Sequence, residues 1–172
     1  ENPEWQQRLR EEAASIDKEF LDYDDLEKMP LADAAVKETL RLHPSAMVAQ
    51  RRTIRDCELG GYRIPANTLL FLVPQYTHRM AEYWDNPHTF DPERWLEPRN
   101  EHKRHPFSFV GFGGGAHKCI GMHFALTQTK NFLHQFLRRY EFSLAADSGE
   151  KLQTVPLPKP ADDLPLHLKR LG

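Results

Sequence analysis

Apolar residues at the amino end of the chain recur with a helical period. Trp5, Leu9, Ile16 and Phe20 fall near one face of a helix that Asn2 can cap and Pro3 can open. An acidic stretch, Asp22 to Glu27, precedes a second helix with Pro30 in its first turn. Ala34, Ala35, Val36, Leu40 and Leu42 carry that helix to His43-Pro44. It stops there because a residue before proline is pushed out of the helical region. From Met47 to Val73 the pattern turns extended. Met47-Val48-Ala49 and Thr53-Ile54 read as strand, Gly60-Gly61 as a turn, and Tyr62-Arg63-Ile64 as strand again. A second turn at Pro65-Ala66-Asn67 leads into an apolar run from Thr68 to Val73, which gives a small antiparallel sheet.

Residues 74–118 show little periodicity and are punctuated by Pro74, Pro87, Pro92, Pro98 and Pro106, with one short helix expected around Arg79 to Tyr83. A stretch this long without regular structure normally counts against such an assignment, unless the loop is functional. After Gly111-Phe112-Gly113-Gly114-Gly115 comes the clearest helix, in which Ile120, Phe124, Leu133, Phe136, Leu137 and Tyr140 repeat near the helical period. The tail, with Pro156, Pro158, Pro160 and Pro165, reads as turns and short extended pieces. The pattern predicts a mainly α fold with a small antiparallel β part and a long ordered coil before Cys119.

Composition narrows the function classes. A chain of 172 residues suits one domain, and 40% hydrophobic, 10% aromatic and 28% charged residues argue against disorder or low complexity. The longest apolar run is five residues, Leu69 to Val73, far below the roughly 20 of a membrane span. Glu1-Asn2-Pro3-Glu4 does not resemble a signal peptide, and the lack of an initiating Met suggests a start inside a longer polypeptide. A net charge of −2 excludes a broad nucleic-acid footprint. Cys57 and Cys119 are too few for a disulfide scaffold and fit a reducing compartment, so a soluble, cytoplasmic chain is expected.

Cys119 is the strongest chemical candidate. It follows a glycine-rich loop at the start of a long helix, where the helix dipole and unpaired N–H groups favour the thiolate, the metal-ligating form. His117 and Lys118 add positive charge, and the glycines let the backbone approach a large flat partner. A small buried hydrophobe is the alternative for such a cysteine. The same loop lacks phosphate-loop spacing, the two cysteines form no zinc pair, and His102 and His105 read as solvated. Cys57 reads as a buried spectator. Glu38 and Arg41 share a helix face, which by itself means only a surface ion pair. Arg94 changes the weighing, because it can complete a charge network pinning the proline-rich segment to the helix.

Three motifs together carry a family resemblance. Phe112-Gly113-Gly114-Gly115-Ala116-His117-Lys118-Cys119-Ile120-Gly121 matches the cytochrome P-450 haem signature F-x-x-G-x-[RH]-x-C-x-G. Lys37-Glu38-Thr39-Leu40-Arg41 is similar to that family's E-x-x-R helix, and Trp84 to Trp95 resembles its meander. The resemblance implies that Cys119 is the thiolate ligand of the iron of haem b, with Phe112 packed beside it and Gly113 and Gly121 in the same signature. It also implies that His117 binds a haem propionate and Arg51 a second one, with the adjacent Arg52 as the alternative. Glu38, Arg41 and Arg94 would be a structural triad. Ser45 to Gln50 and the turn around Thr154-Val155-Pro156 resemble pocket-lining segments.

The implied activity is a monooxygenase that inserts one atom of O2 into a small apolar organic substrate, using two electrons from a ferredoxin or flavoprotein reductase. Lys118, with Lys103, Arg104 and Arg138 or Arg139, is a candidate basic face for that donor, with ordinary solvated charge as the alternative. The resemblance covers nearly all of residues 1–172 but only the carboxy-terminal part of the family's fold. The chain is therefore expected to be a single partial domain that lacks the amino-terminal half and the distal helix. A membrane anchor in that amino-terminal portion stays open. So do two other readings: a non-catalytic haem-binding or structural fragment, and an isomerase or dehydratase of the same fold.

Overall fold

The computed structural model describes residues 2–145, 148, 152–154 and 158–172. Helix α1 spans Pro3–Ser15, and α2 spans Pro30–Leu42. Both open on proline, whose fixed φ suits a first turn and whose missing N–H is not needed there. Asn2 contributes its carbonyl, which accepts from the N–H groups of Trp5 and Gln6, and its side chain makes no cap bond. Helix α1 ends sooner than the apolar pattern suggests. Ile16 is already extended, so Phe20 falls off the helical face and is 66% exposed. The acidic stretch forms a 3-10 turn, Tyr23–Lys28.

Strands β1 (Ala49–Arg52), β2 (Cys57–Leu59), β3 (Tyr62–Ile64) and β4 (Leu69–Leu72) follow. They make two separate antiparallel ladders. In one, β1 pairs with β4 in the register Ala49 to Leu72; in the other, β2 pairs with β3 from Cys57 to Ile64. Met47 and Val48 precede β1, and Thr53 and Ile54 leave the ladder after it, so strand character sits two residues later than hydrophobicity alone suggests. Thr53 instead bonds across the Pro65-Asn67 turn: its N–H donates to the Thr68 carbonyl and its hydroxyl to that of Pro65. Cys57 is exposed, not buried, because both faces of the small β2–β3 hairpin are open.

The expected short helix lies earlier, as α3 (Pro74–Thr77), again opened by a proline. Residues 79–84 continue only as hydrogen-bonded turns. The coil before Cys119 is ordered by 3-10 turns at Pro92–Trp95, Glu101–Lys103 and Gly115–His117. Helix α4, Met122–Arg139, runs directly into β5 (Tyr140–Leu144). Beyond it, β6 (Leu152–Gln153) pairs with β7 (Lys159–Pro160), and β8 (Leu166–Arg170) pairs with β5. The architecture is mainly α with small antiparallel sheets. Among the described residues, no helix is long and apolar enough to cross a membrane.

The core has two parts. Ile16, Leu21, Met29 and Ala32 pack with Leu9, Leu26 and Leu133 where α1, α2 and α4 meet. The second part centres on Ala34, Trp84 and Trp95, with Phe109 against them. It encloses charge: Glu38, Arg41, Arg94 and Glu101 are all wholly buried. Buried ions are tolerated only when paired and hydrogen-bonded, and these four bring two charges of each sign together.

Candidate functional site

The base of the site is the buried charge network. Glu38 and Arg41 lie on one face of α2 and meet side-on, with Arg41 Nε and Nη2 donating to the two carboxylate oxygens at 2.8 Å each. Arg94 Nε and Trp95 Nε1 add further donors to Glu38 at 3.0 Å each, and the Asp91 N–H adds one at 2.9 Å. Burial would raise the Glu38 carboxyl, but the Arg41 bonds, the Asp91 N–H and the Arg94 charge outweigh it and hold it below its usual range. The Arg41 guanidinium also donates to the carbonyls of His78, Pro87 and Thr89, which are thereby strapped to α2.

Glu101 is a fourth member, which sequence reasoning missed. It accepts from Arg94 Nη1 at 2.6 Å and from the Asp85 N–H at 3.0 Å, and it pairs with Arg99. Its only sequence signal is a carboxylate seven residues after Arg94. His102 departs from the solvated reading: it is half-buried and stacks on Trp95 with ring centres 5.2 Å apart.

Above this base lies a cavity of about 890 Å³. One side is β1, β4 and α3, through Ala49, Arg51, Leu72, Val73 and Thr77; the other is the loop from His105 to Cys119. Five of the sequence-derived candidates, Arg51, Phe112, Gly113, His117 and Cys119, share its wall. The strand period settles which arginine faces inward. Ala49 and Arg51 occupy the half-buried face of β1, whereas Arg52 is on the other face and donates to Asn67. Ser45, Ala46 and Ala49 of the Ser45–Gln50 segment also line the cavity. Val155 and Pro156 lie outside the described residues, and Thr154 is exposed.

The loop is closed around Cys119 by its own backbone: the Cys119 N–H donates to the Phe112 carbonyl at 2.8 Å, and the Gly113 N–H to that of Val110 at 2.9 Å. Gly113 has φ +71°, and a Cβ there would stand 2.9 Å from the His117 carbonyl oxygen. Only glycine fits. Gly121 is the N-cap of α4, and a Cβ on it would lie at ordinary contact, 3.8 Å, from Cys119 Sγ; it is not on the cavity wall. Cys119 itself is exposed, two residues before that N-cap.

Apolar walls with a thiol on one face and basic groups at Arg51 and His117 suit a flat, apolar group with anionic edges, the chemistry of haem. Of the proposed basic face, Lys103 pairs with Glu97, Arg104 with Asp85 and Arg139 with Glu19, and Arg138 donates to the Lys18 carbonyl. Most of that charge is thus engaged locally.

Comparisons with known proteins agree with this architecture. The family profile described as cytochrome P-450 matches residues 1–163. The chain is 44% identical over 169 residues to a Mycobacterium tuberculosis protein named cytochrome P-450 136, covering 98% of this chain and 34% of that one. It is 35% identical over 152 residues to human cytochrome P-450 4V2, covering 86% of this chain and 28% of the relative. The solved structure of cyanobacterial CYP120A1 bound to retinoic acid superposes with a TM-score of 0.90 at 30% identity, covering 98% of this chain and 39% of that one. The chain thus spans about a third of the length of the curated relatives it matches. With the E-x-x-R network, the cysteine loop and the fold in agreement, this chain belongs to the cytochrome P-450 family.

Proposed function

We propose that residues 1–172 form a single partial domain, the carboxy-terminal haem-binding portion of a haem-thiolate monooxygenase, with Cys119 as the ligand of the iron of haem b. The observation that carries this reading is the common wall of the cavity, on which Cys119, Phe112, Gly113, His117 and Arg51 are brought together from segments far apart in sequence. Cys119 would hold the iron, Phe112 would pack beside that ligand and help shield it once haem is bound, and Gly113 and Gly121 would keep the backbone close around the sulfur. His117 and Arg51 hold the propionates as charge-assisted partners. Glu38, Arg41 and Arg94 keep the floor rigid and take no proton in the reaction. Bound haem supplies the oxidising chemistry that inserts one atom of O2 into a substrate.

The substrate class is a small apolar organic molecule, in keeping with Leu72 and Val73 on the side of the cavity away from the cysteine loop. Retinoic acid, named with CYP120A1, is of that apolar kind. Electrons come from a ferredoxin or a flavoprotein reductase. A second reading, a haem-binding piece without turnover of its own, is favoured for the isolated chain by the exposure of Cys119.

The test is a carbon monoxide difference spectrum of the reduced, haem-loaded protein, taken on the full-length polypeptide and on residues 1–172. The strongly red-shifted Soret band of thiolate ligation is expected in both, and Cys119→Ser should abolish it. An unshifted band in the full-length wild type would overturn the assignment of Cys119. Substrate oxidation by the full-length protein alone would separate the two readings.

A further inference from the structure

We propose that His78 is a positioning residue for the cysteine loop: its imidazole ties the start of that loop to the buried Glu38–Arg41 core and so sets where Cys119 stands. This rests on the reading of Cys119 as the iron ligand. His78 is wholly buried, and both ring nitrogens are engaged. The Val110 N–H donates to Nε2 at 2.9 Å. A backbone N–H can only donate, so Nε2 is the bare nitrogen and the proton sits on Nδ1, which donates to the Arg41 carbonyl at 3.2 Å. In the opposite sense, Arg41 Nη1 donates to the His78 carbonyl at 2.7 Å. Residues 41 and 78 are thus fastened to each other twice, and the ring cannot turn without losing a bond.

From the ring, contact passes into the loop by two routes. Val110, held by Nε2, accepts through its carbonyl from the Gly113 N–H at 2.9 Å, which forms the turn before Cys119 bonds back to Phe112. The second route is packing. Phe109 stacks on the imidazole at 5.0 Å and meets Trp95 edge-on at 4.8 Å, and the Gly111 backbone lies so close that a Cβ there would come within 2.4 Å of the Phe109 ring. A buried histidine that merely filled space would leave a loop amide to find another partner. Among the described residues, the acceptor for the Val110 amide is this ring nitrogen, and groups that orient a metal ligand from behind typically govern its affinity.

Two amides of different reach separate this from simple packing. In His78→Asn the side-chain N–H can still reach the Arg41 carbonyl, but nothing reaches Val110. In His78→Gln the amide oxygen reaches Val110. On the full-length protein, two readouts are taken: the share of reduced, carbon monoxide-treated haem in the red-shifted band, and amide exchange across residues 110–119 without haem. His78→Asn is expected to lower the red-shifted share about tenfold, the usual scale for groups behind a ligand. It should also speed exchange across 110–119 about tenfold, as for one lost hydrogen bond, with residues 30–42 unchanged. His78→Gln should restore most of both.

Wild-type behaviour of His78→Asn in both readouts would overturn the proposal, as would equal damage from Asn and Gln, which marks packing alone. Should the Asn variant not fold, His78→Phe, which keeps the stack and lacks ring nitrogens, takes its place against Gln. Absence of the red-shifted band in the wild type would sink the Cys119 assignment instead, and the exchange comparison would still decide the tether.

Discussion

Glu38 and Arg41 meet through two parallel hydrogen bonds of 2.8 Å, with neither side chain exposed to solvent. An i,i+3 pair on a helix surface contributes a few tenths of a kcal/mol; this one is the junction from which three carbonyls, two indole and guanidinium donors and a loop amide are hung.

Breaking that junction leaves a buried charge alone. Glu38→Gln is expected to destabilise the protein by about 3–5 kcal/mol, the usual cost of removing one partner of a buried pair. Lys169→Ala, which removes an exposed pair with Glu141, should cost less than about 1 kcal/mol. Urea unfolding of both variants checks the contrast; equal midpoints would mean the network carries no stability.

His78 gives the stability a defined pH dependence. Burial, with the charges of Arg41 and Arg79, pulls its pKa down to about 4 from 6.5, against the raising effect of the Arg41 carbonyl. The unfolded chain therefore binds a proton that the folded one refuses between those values. The contribution is full above the unfolded pKa and falls as pH drops from 6.5 towards 4, by roughly 3 kcal/mol in all. Unfolding free energies measured at pH 7, 5.5 and 4.5 should show this slope in the wild type, and a shallower one in His78→Gln.

Gly113 and Gly115 both have positive φ, +71° and +60°, but differ in space. An alanine at Gly115 meets nothing within 4 Å and is expected to cost only the left-handed strain, about 1–2 kcal/mol. At Gly113 the methyl would also press on the His117 carbonyl, so the loop must shift. Haem titration should show Gly113→Ala weakened well beyond Gly115→Ala; the reverse order would place the tight turn elsewhere.

Arg51 and Arg52 offer a neighbouring pair with opposite orientations. Arg51→Ala is expected to weaken haem binding about ten- to a hundredfold, in line with loss of one charge-assisted bond of about 1.5–3 kcal/mol, and Arg52→Ala to leave it unchanged. Equal effects would contradict the inward face of β1.

Much of the helical framework was legible in sequence because its signals are local. Proline opened α1 and α2, His43-Pro44 closed α2, and the glycine-rich loop announced α4, whereas α3 opens on Pro74, ahead of the short helix expected around Arg79 to Tyr83. The β part was less so. Which face of β1 looks inward depends on its partner β4, and the exposure of Cys57 on how little covers the β2–β3 hairpin. Phe20 looked like a core residue only while the helix was assumed to continue past Ser15.

The sequence by itself determined the chemistry on offer: a cysteine in a glycine-rich loop before a long helix, a glutamate and an arginine one turn apart, and an arginine after Asp91-Pro92. Only the tertiary structure decided which partners these groups have. Glu101 joins Arg94 from seven residues away, and His78 reaches Arg41 and Val110 across separations of 37 and 32. No local pattern encodes those bonds. They form because burying four charges and an imidazole together demands that each polar atom find a partner, wherever in the chain it lies.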